Sequence, residues 1–106
     1  MAKQGVLERS VAARLRAVMA SQHIEGNKPF ARICGVGDST PNNWLLADNL
    51  PDMAGMIRLC QETGITLDWI FRGYAGGMPA GYANKLNSLA SKIARDRTWN
   101  EPIRNL

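Results

Sequence analysis

The sequence predicts an all-α protein, on three observations. Apolar residues recur at three- and four-residue spacing along several stretches, and none alternates apolar and polar residues as a half-buried strand does. Capping residues and glycines divide these stretches at short intervals. The segment NKPFARICGVGDSTPNNW, residues 27–44, also has the chemistry of two short helices joined by a tight turn. Ala31, four positions before Gly35, lets a second helix approach closely, and Phe30, Ile33, Cys34 and Val36 surround the pair with apolar groups. Gly35 takes the positive φ that ends the first of the two.

The first helix is expected over residues 7–22. Val11, Leu15, Val18 and Met19 fall on one stripe, with Arg9, Arg14 and Arg16 off it. Glu25-Gly26 closes it, and His23 is placed at its C-terminal end, where a cationic imidazole suits the helix dipole. The second helix is expected over 28–34, with Asn27 as N-cap and Pro29 in the first turn, where its missing N–H costs nothing. The third covers 39–47. Asp38 caps it with Pro41 in the first turn, or Thr40 caps it with Pro41 as first residue, since a residue before proline avoids the α region. Packing around the turn favours Asp38. In either case Trp44 points inward, and Ser39, Thr40, Asn42 and Asn43 point outward.

Residues 48–51 read as a loop. The fourth helix is expected over 52–63, with Met53, Met56, Ile57 and Cys60 as its apolar face and Gly64 at its end. The fifth is short: Thr66 caps it, residues 67–71 form it and Gly73 stops it. Trp44, Trp69 and Phe71 are expected in the core. Residues 74–81 are a glycine-rich connector. A sixth helix from about Pro79 or Ala80 to Arg95 carries the stripe Tyr82, Leu86, Leu89 and Ile93. This stripe either covers the core within one chain or pairs with its copy in a dimer, the reading favoured here, since its 4, 3, 4 spacing is that of a short helix–helix seam. From residue 96 onward little periodicity remains. Trp99 stands alone in this basic tail, with docking on the domain, a dimer contact and disorder all open to it.

Length and composition bound the function. The chain has 106 residues, one domain's worth, and its apolar fraction of 45% suffices for a core. No apolar run approaches the ~20 residues of a membrane span. Charges are scattered through the N-terminal stretch with no apolar core region, so no signal peptide is read and a cytoplasmic protein is expected. Cys34 and Cys60 are read as reduced, buried small hydrophobes. With His23 the only histidine, the ligands of a metal site are missing. No nucleophile–base motif, paired carboxylates or phosphate-cradling glycine loop occurs, so neither an enzyme nor a cofactor is expected.

The net charge of +4 is unevenly spread: +4 over residues 1–36, −3 over 37–73 and +3 over 74–106. The third helix lies in the acidic segment, so attraction to phosphate must come mainly from the first helix and the tail. The third helix itself offers short amides and hydroxyls. Asparagine bonds adenine N6 and N7 together, and serine or threonine bonds any base edge in a DNA major groove.

The order of these pieces resembles the Cro/repressor-like (XRE-type) helix-turn-helix transcription regulators. The matching residues are Arg14-Leu15-Arg16, Phe30-Ala31-Arg32, Gly35-Val36, Trp44, Leu50-Pro51, Leu67-Asp68-Trp69-Ile70 and Arg72-Gly73, covering about residues 7–73. The resemblance implies a five-helix, lambda-repressor-like DNA-binding domain over 1–73. Residues 74–106 then form a connector, an extra C-terminal helix and a tail that serves as a dimerisation element. It further implies that Asn27 and Lys28 touch phosphate, that Ser39, Thr40, Asn42 and Asn43 face bases, and that Asn49 meets the backbone. The implied partner is double-stranded DNA and the implied state a homodimer, most simply a repressor.

Three features depart from the family pattern. Pro41 stands where a β-branched residue is common, Leu45-Leu46-Ala47-Asp48 replaces a glutamate, a glycine and basic residues, and Asp38 brings a carboxylate near the phosphates. A second reading keeps the fold and changes the role: an antitoxin or antirepressor whose tail from Tyr74 onward holds a protein partner. The acidic middle segment supports it.

Overall fold

The computed structural model describes residues 5–96. They form six helices: α1 (Val6–Ser21), α2 (Asn27–Cys34), α3 (Thr40–Leu45), α4 (Met53–Thr63), α5 (Leu67–Arg72) and α6 (Ala80–Arg95). No strand occurs among the described residues. Trp99 and Arg97 lie outside them.

α1 is the central element, touched by α3, α5 and α6. Val11, Ala12, Ala13, Leu15, Ala17 and Val18 are all buried, so its apolar arc is wider than the expected stripe, and Met19 sits at its edge, partly covered. Alanines make the difference, since three neighbours can close on α1 only where side chains are small. The helix ends in a left-handed residue, His23 (φ +56°). The Ile24 N–H then donates to the Met19 carbonyl at 2.9 Å, a Schellman closure without glycine.

α2 begins one residue earlier than expected. Gly26, at φ +101°, takes the cap position, and Asn27 is the first helical residue rather than the cap. The left-handed turn at Gly26 leaves the Asn27 amide side chain unused by its own helix. At the other end Gly35 adopts φ +70°, and the Val36 N–H reaches the Ala31 carbonyl at 3.0 Å. Phe30, Ala31 and Cys34 face inward.

α3 is shorter than expected and is capped by neither Asp38 nor Thr40. Ser39 holds the cap position without a side-chain bond, and Thr40 is already helical. The Thr40 N–H donates to the Gly37 carbonyl (3.0 Å), so a tight turn winds straight into the helix. Burial of Pro41 together with Trp44 and Leu45 holds Thr40 in the helical region against its preference before proline. The helix stops at Leu45 because Ala47 turns left-handed (φ +64°), and the Asp48 N–H closes on the Asn43 carbonyl at 2.9 Å.

Asp52 caps α4, its carboxylate accepting from the Gly55 N–H at 2.9 Å. The buried line of α4 is Gly55, Met56 and Leu59, with Cys60 partly covered. This corrects the expected face, for Met53 and Ile57 are exposed. The Trp44 ring is the cause: a Cβ on Gly55 would lie 3.3 Å from its Cη2, so the indole seats on the one residue of α4 without a side chain. That contact turns Leu59 inward and Ile57 outward.

Thr66 caps α5 through its hydroxyl, which accepts from the Trp69 N–H at 3.1 Å, and the Gly73 N–H closes the helix on the Trp69 carbonyl. Trp69 is fully buried and Trp44 nearly so, while Phe71 is only partly covered. α6 lies antiparallel on α1. Gln22 meets Tyr82 at one end (3.0 Å), and Ser10 and Ala94 line the same groove at the other. Ala83 and Leu86 are buried, and Tyr82, Leu89 and Ile93 pack against the same core. The Tyr82 hydroxyl donates to the Thr63 carbonyl (2.8 Å), and the Trp69 indole N–H donates to Asn87 Oδ1 (2.8 Å). Of the two readings of the stripe, the structure therefore takes the first: it covers the core within one chain.

No helix among the described residues is long and apolar enough to cross a membrane. Both cysteines are free thiols. Burial, with Asp52 adding and Arg58 opposing, pushes the Cys34 thiol up to about 12, and burial raises Cys60 as well.

Candidate nucleic-acid interface

α3 divides cleanly into two faces. Pro41, Trp44 and Leu45 point into the core, and this anchors the helix from one side. Ser39, Thr40, Asn42 and Asn43 are left exposed on the other. Because Ser39 makes no cap bond, its hydroxyl is not spent on the helix.

Two pairs of the sequence-predicted residues are brought together. The Asn27 Nδ2 donates to Asn42 Oδ1 at 3.4 Å, so the start of α2 restrains the amide of Asn42. Oδ1 keeps a second lone pair and Nδ2 keeps both hydrogens, so Asn42 retains its capacity to accept and donate outward. The Asn49 N–H donates to the Asn43 carbonyl at 3.3 Å, which folds the loop after α3 back beside Asn43. Asn49 is exposed there, and Lys28 is exposed next to Asn27.

Electrostatics around α3 differ from the sequence expectation. α1 was to supply phosphate attraction through its arginines, yet two of the three are turned inward. Arg16 Nε donates to the Leu45 carbonyl at 2.9 Å, and Arg14 Nη1 donates to the Ile70 carbonyl at 2.9 Å. Each places a cation at the C-terminal end of a six-residue helix, where the dipole is negative. Burial lowers both guanidinium pKa values, and the bonds to carbonyls offset part of that desolvation. Arg9 alone of the three is exposed. The signal in the sequence was their company: Arg14 and Arg16 lie among Ala12, Ala13, Leu15 and Ala17, in the middle of a buried arc.

Other cations take their place. Lys28 and Arg32 are exposed on α2. Arg58 of α4 lies over the turn between α2 and α3, where a Cβ on Gly35 would come within 2.6 Å of its Nε. Sequence reasoning missed Arg58, and no local signal marks it. Asp38 and Asp48 flank the two ends of α3, so the helix itself is neutral, with carboxylates beyond its ends and cations on α2 and α4. Among the described residues no group of three His, Cys, Asp or Glu side chains is placed to hold a metal ion. Compared with family models, curated proteins and solved structures, the chain matches none.

Proposed function

We propose that this chain is a helix-turn-helix transcription regulator, most simply a cytoplasmic repressor, that binds double-stranded DNA sequence-specifically. In this reading α1–α5 are a five-helix, lambda-repressor-like domain, and α6 is an added helix laid across α1. The observation that carries the reading is the two-faced α3. Three residues fix it from within, four short polar side chains stand outward, and Asn27 restrains one of them. A helix anchored from one side presents its amides and hydroxyls in one direction, as reading of base edges requires. Asn42 and Asn43 bond base edges, Ser39 and Thr40 support them, Lys28 meets phosphate with Asn27 beside it, and Asn49 meets the backbone on the far side.

The homodimer belongs to the same proposal. With the stripe of α6 spent inside the chain, we place the dimer contact at Leu50, Met53 and Ile57, which are 39%, 53% and 42% exposed and, unlike the exposed Val6, Leu7 and Tyr74, come soon after α3 in the chain. They follow directly on Asn49, so a two-fold contact there keeps two copies of α3 near one another. The test is selection of bound sequences from random duplex DNA by the full chain. Enrichment of a palindrome supports the reading, and a pool that stays random after repeated rounds overturns it.

A further inference from the structure

α6 carries a charge pattern that the reading of α3 does not use. Lys85, Lys92 and Arg95 are all exposed. With the exposed Ser88 they sit at spacings of three, four and three, one stripe along the helix, turned away from the buried Ala83 and Leu86. No Asp or Glu occurs anywhere between Asp68 and Asp96. None of the three cations forms an ion pair among the described residues. An ordinary solvated face mixes both signs of charge. From Ala80 to Arg95 this one has a single sign, with Asp96 only at its C-terminal end, and is interspersed with exposed Asn84, Ser88 and Ser91, which are short hydrogen-bond donors.

We propose that the outer face of α6 is a second nucleic-acid surface, binding the phosphate backbone of a duplex segment other than the one α3 reads. This rests on the proposed DNA binding. Charge complementarity names the occupant. Lys85 to Arg95 span about 15 Å of helix, and duplex DNA presents one negative charge per about 1.7 Å of its axis. The face has no large apolar side chain to insert into a bilayer, so an anionic lipid surface fits it less well. Position separates the two surfaces. Arg16 meets α3 from one flank of α1, whereas Ser10, Ala13 and Arg14 line a groove shared with Asn87, Ala90 and Ala94 of α6. A duplex seated on α3 leaves the outer face of α6 open to a second segment.

The experiment compares the full chain with two variants. One combines Lys85→Gln, Lys92→Gln and Arg95→Gln; the other combines Asn42→Ala and Asn43→Ala. Binding to a labelled random-sequence duplex is followed between about 50 and 200 mM salt. The triple variant should show a salt slope shallower by about 2–3, the loss of three phosphate contacts, with an unchanged melting curve. The asparagine variant should keep the wild-type slope. In a sandwich assay, protein held on an immobilised selected duplex should capture a second, labelled duplex, and the triple variant should not. If the wild type binds no duplex at all, this inference falls together with the proposed function. If it binds and the triple variant matches it in slope and capture, only the second surface is refuted. If the triple substitution leaves duplex binding intact but abolishes binding to vesicles of anionic lipid, the face belongs to a membrane and the inference is overturned.

Discussion

Leu86→Ala tests the placement of α6. Leu86 is fully buried where α6 crosses the core, so truncation removes three carbon groups that nothing else covers. At roughly 0.8 kcal/mol per buried group the transfer loss is about 2.4 kcal/mol. The rigid surroundings add a cavity contribution, which brings the cost to about 3–4 kcal/mol. For a domain of this size that lowers the melting temperature by on the order of 12–25 °C. The measurement is thermal and urea unfolding by circular dichroism at several protein concentrations, with sedimentation of both proteins beside it. Because the contact lies within one chain, the stability lost should not depend on concentration, and the oligomeric state of the folded protein should not change. A variant that keeps its melting temperature to within a degree or two but falls from dimer to monomer would show that the stripe of α6 serves another copy of the chain, and the packing argument would fail.

The other predictions address the surfaces and the thiol. Asn43→Ala should weaken binding to a selected duplex by about 1–3 kcal/mol and relax preference at one base position, with melting unchanged, as fluorescence anisotropy and a second round of selection would show. Ile57→Glu should abolish self-association seen by sedimentation while leaving the monomer's melting temperature nearly unaltered, because the side chain is already half in water; a dimer that survives it uses another face. Cys34 resists ionisation up to about 12 in the folded chain against an ordinary value of 9.0. The native state therefore holds this proton more tightly than the unfolded one. The associated stability is complete below about pH 9 and is lost as pH rises from there toward 12. Urea unfolding across that range should show a decline that is smaller in Cys34→Ala, which is less stable overall and keeps only the part due to the buried Cys60 thiol.

Local chemistry was legible in the sequence wherever a neighbour within four residues decides the outcome. Asp52 and Thr66 cap the helices they precede, and Gly35, Gly64 and Gly73 end theirs in the left-handed region. The two faces of α3 were legible for the same reason, since Pro41, Trp44 and Leu45 can reach one side only. What the sequence hid was decided at a distance. Trp44 chose which side of α4 is buried by seating on Gly55, and no periodicity within α4 carries that information. Asn27 looked like a cap because its amide suits one, but Gly26 could adopt a backbone angle that Asn27 could not as easily, and Asn42 lay within reach. The company of Arg14 and Arg16 in α1 signals that they turn inward, but their partners, the carbonyls of Ile70 and Leu45, are distant in the chain. The location of Arg58 at the turn between α2 and α3 depends on how α4 crosses α2, which is likewise a property of the assembled fold.

The two inward arginines of α1 have a further effect on how order spreads through the molecule. A helix of six residues closes too few internal hydrogen bonds to survive alone in water, since nucleation costs more than so short a run returns. α3 and α5 are both of this length, and each has a terminal carbonyl held by a guanidinium rooted in α1. Neither can stay helical once α1 detaches, so the amide protons of α3 are shielded from solvent exchange only as long as α1 remains docked. α1 is docked largely through α6. A force or ligand that pries α6 from its groove therefore acts, through Arg16 and the carbonyl of Leu45, on whether the outward row of α3 keeps its helical form.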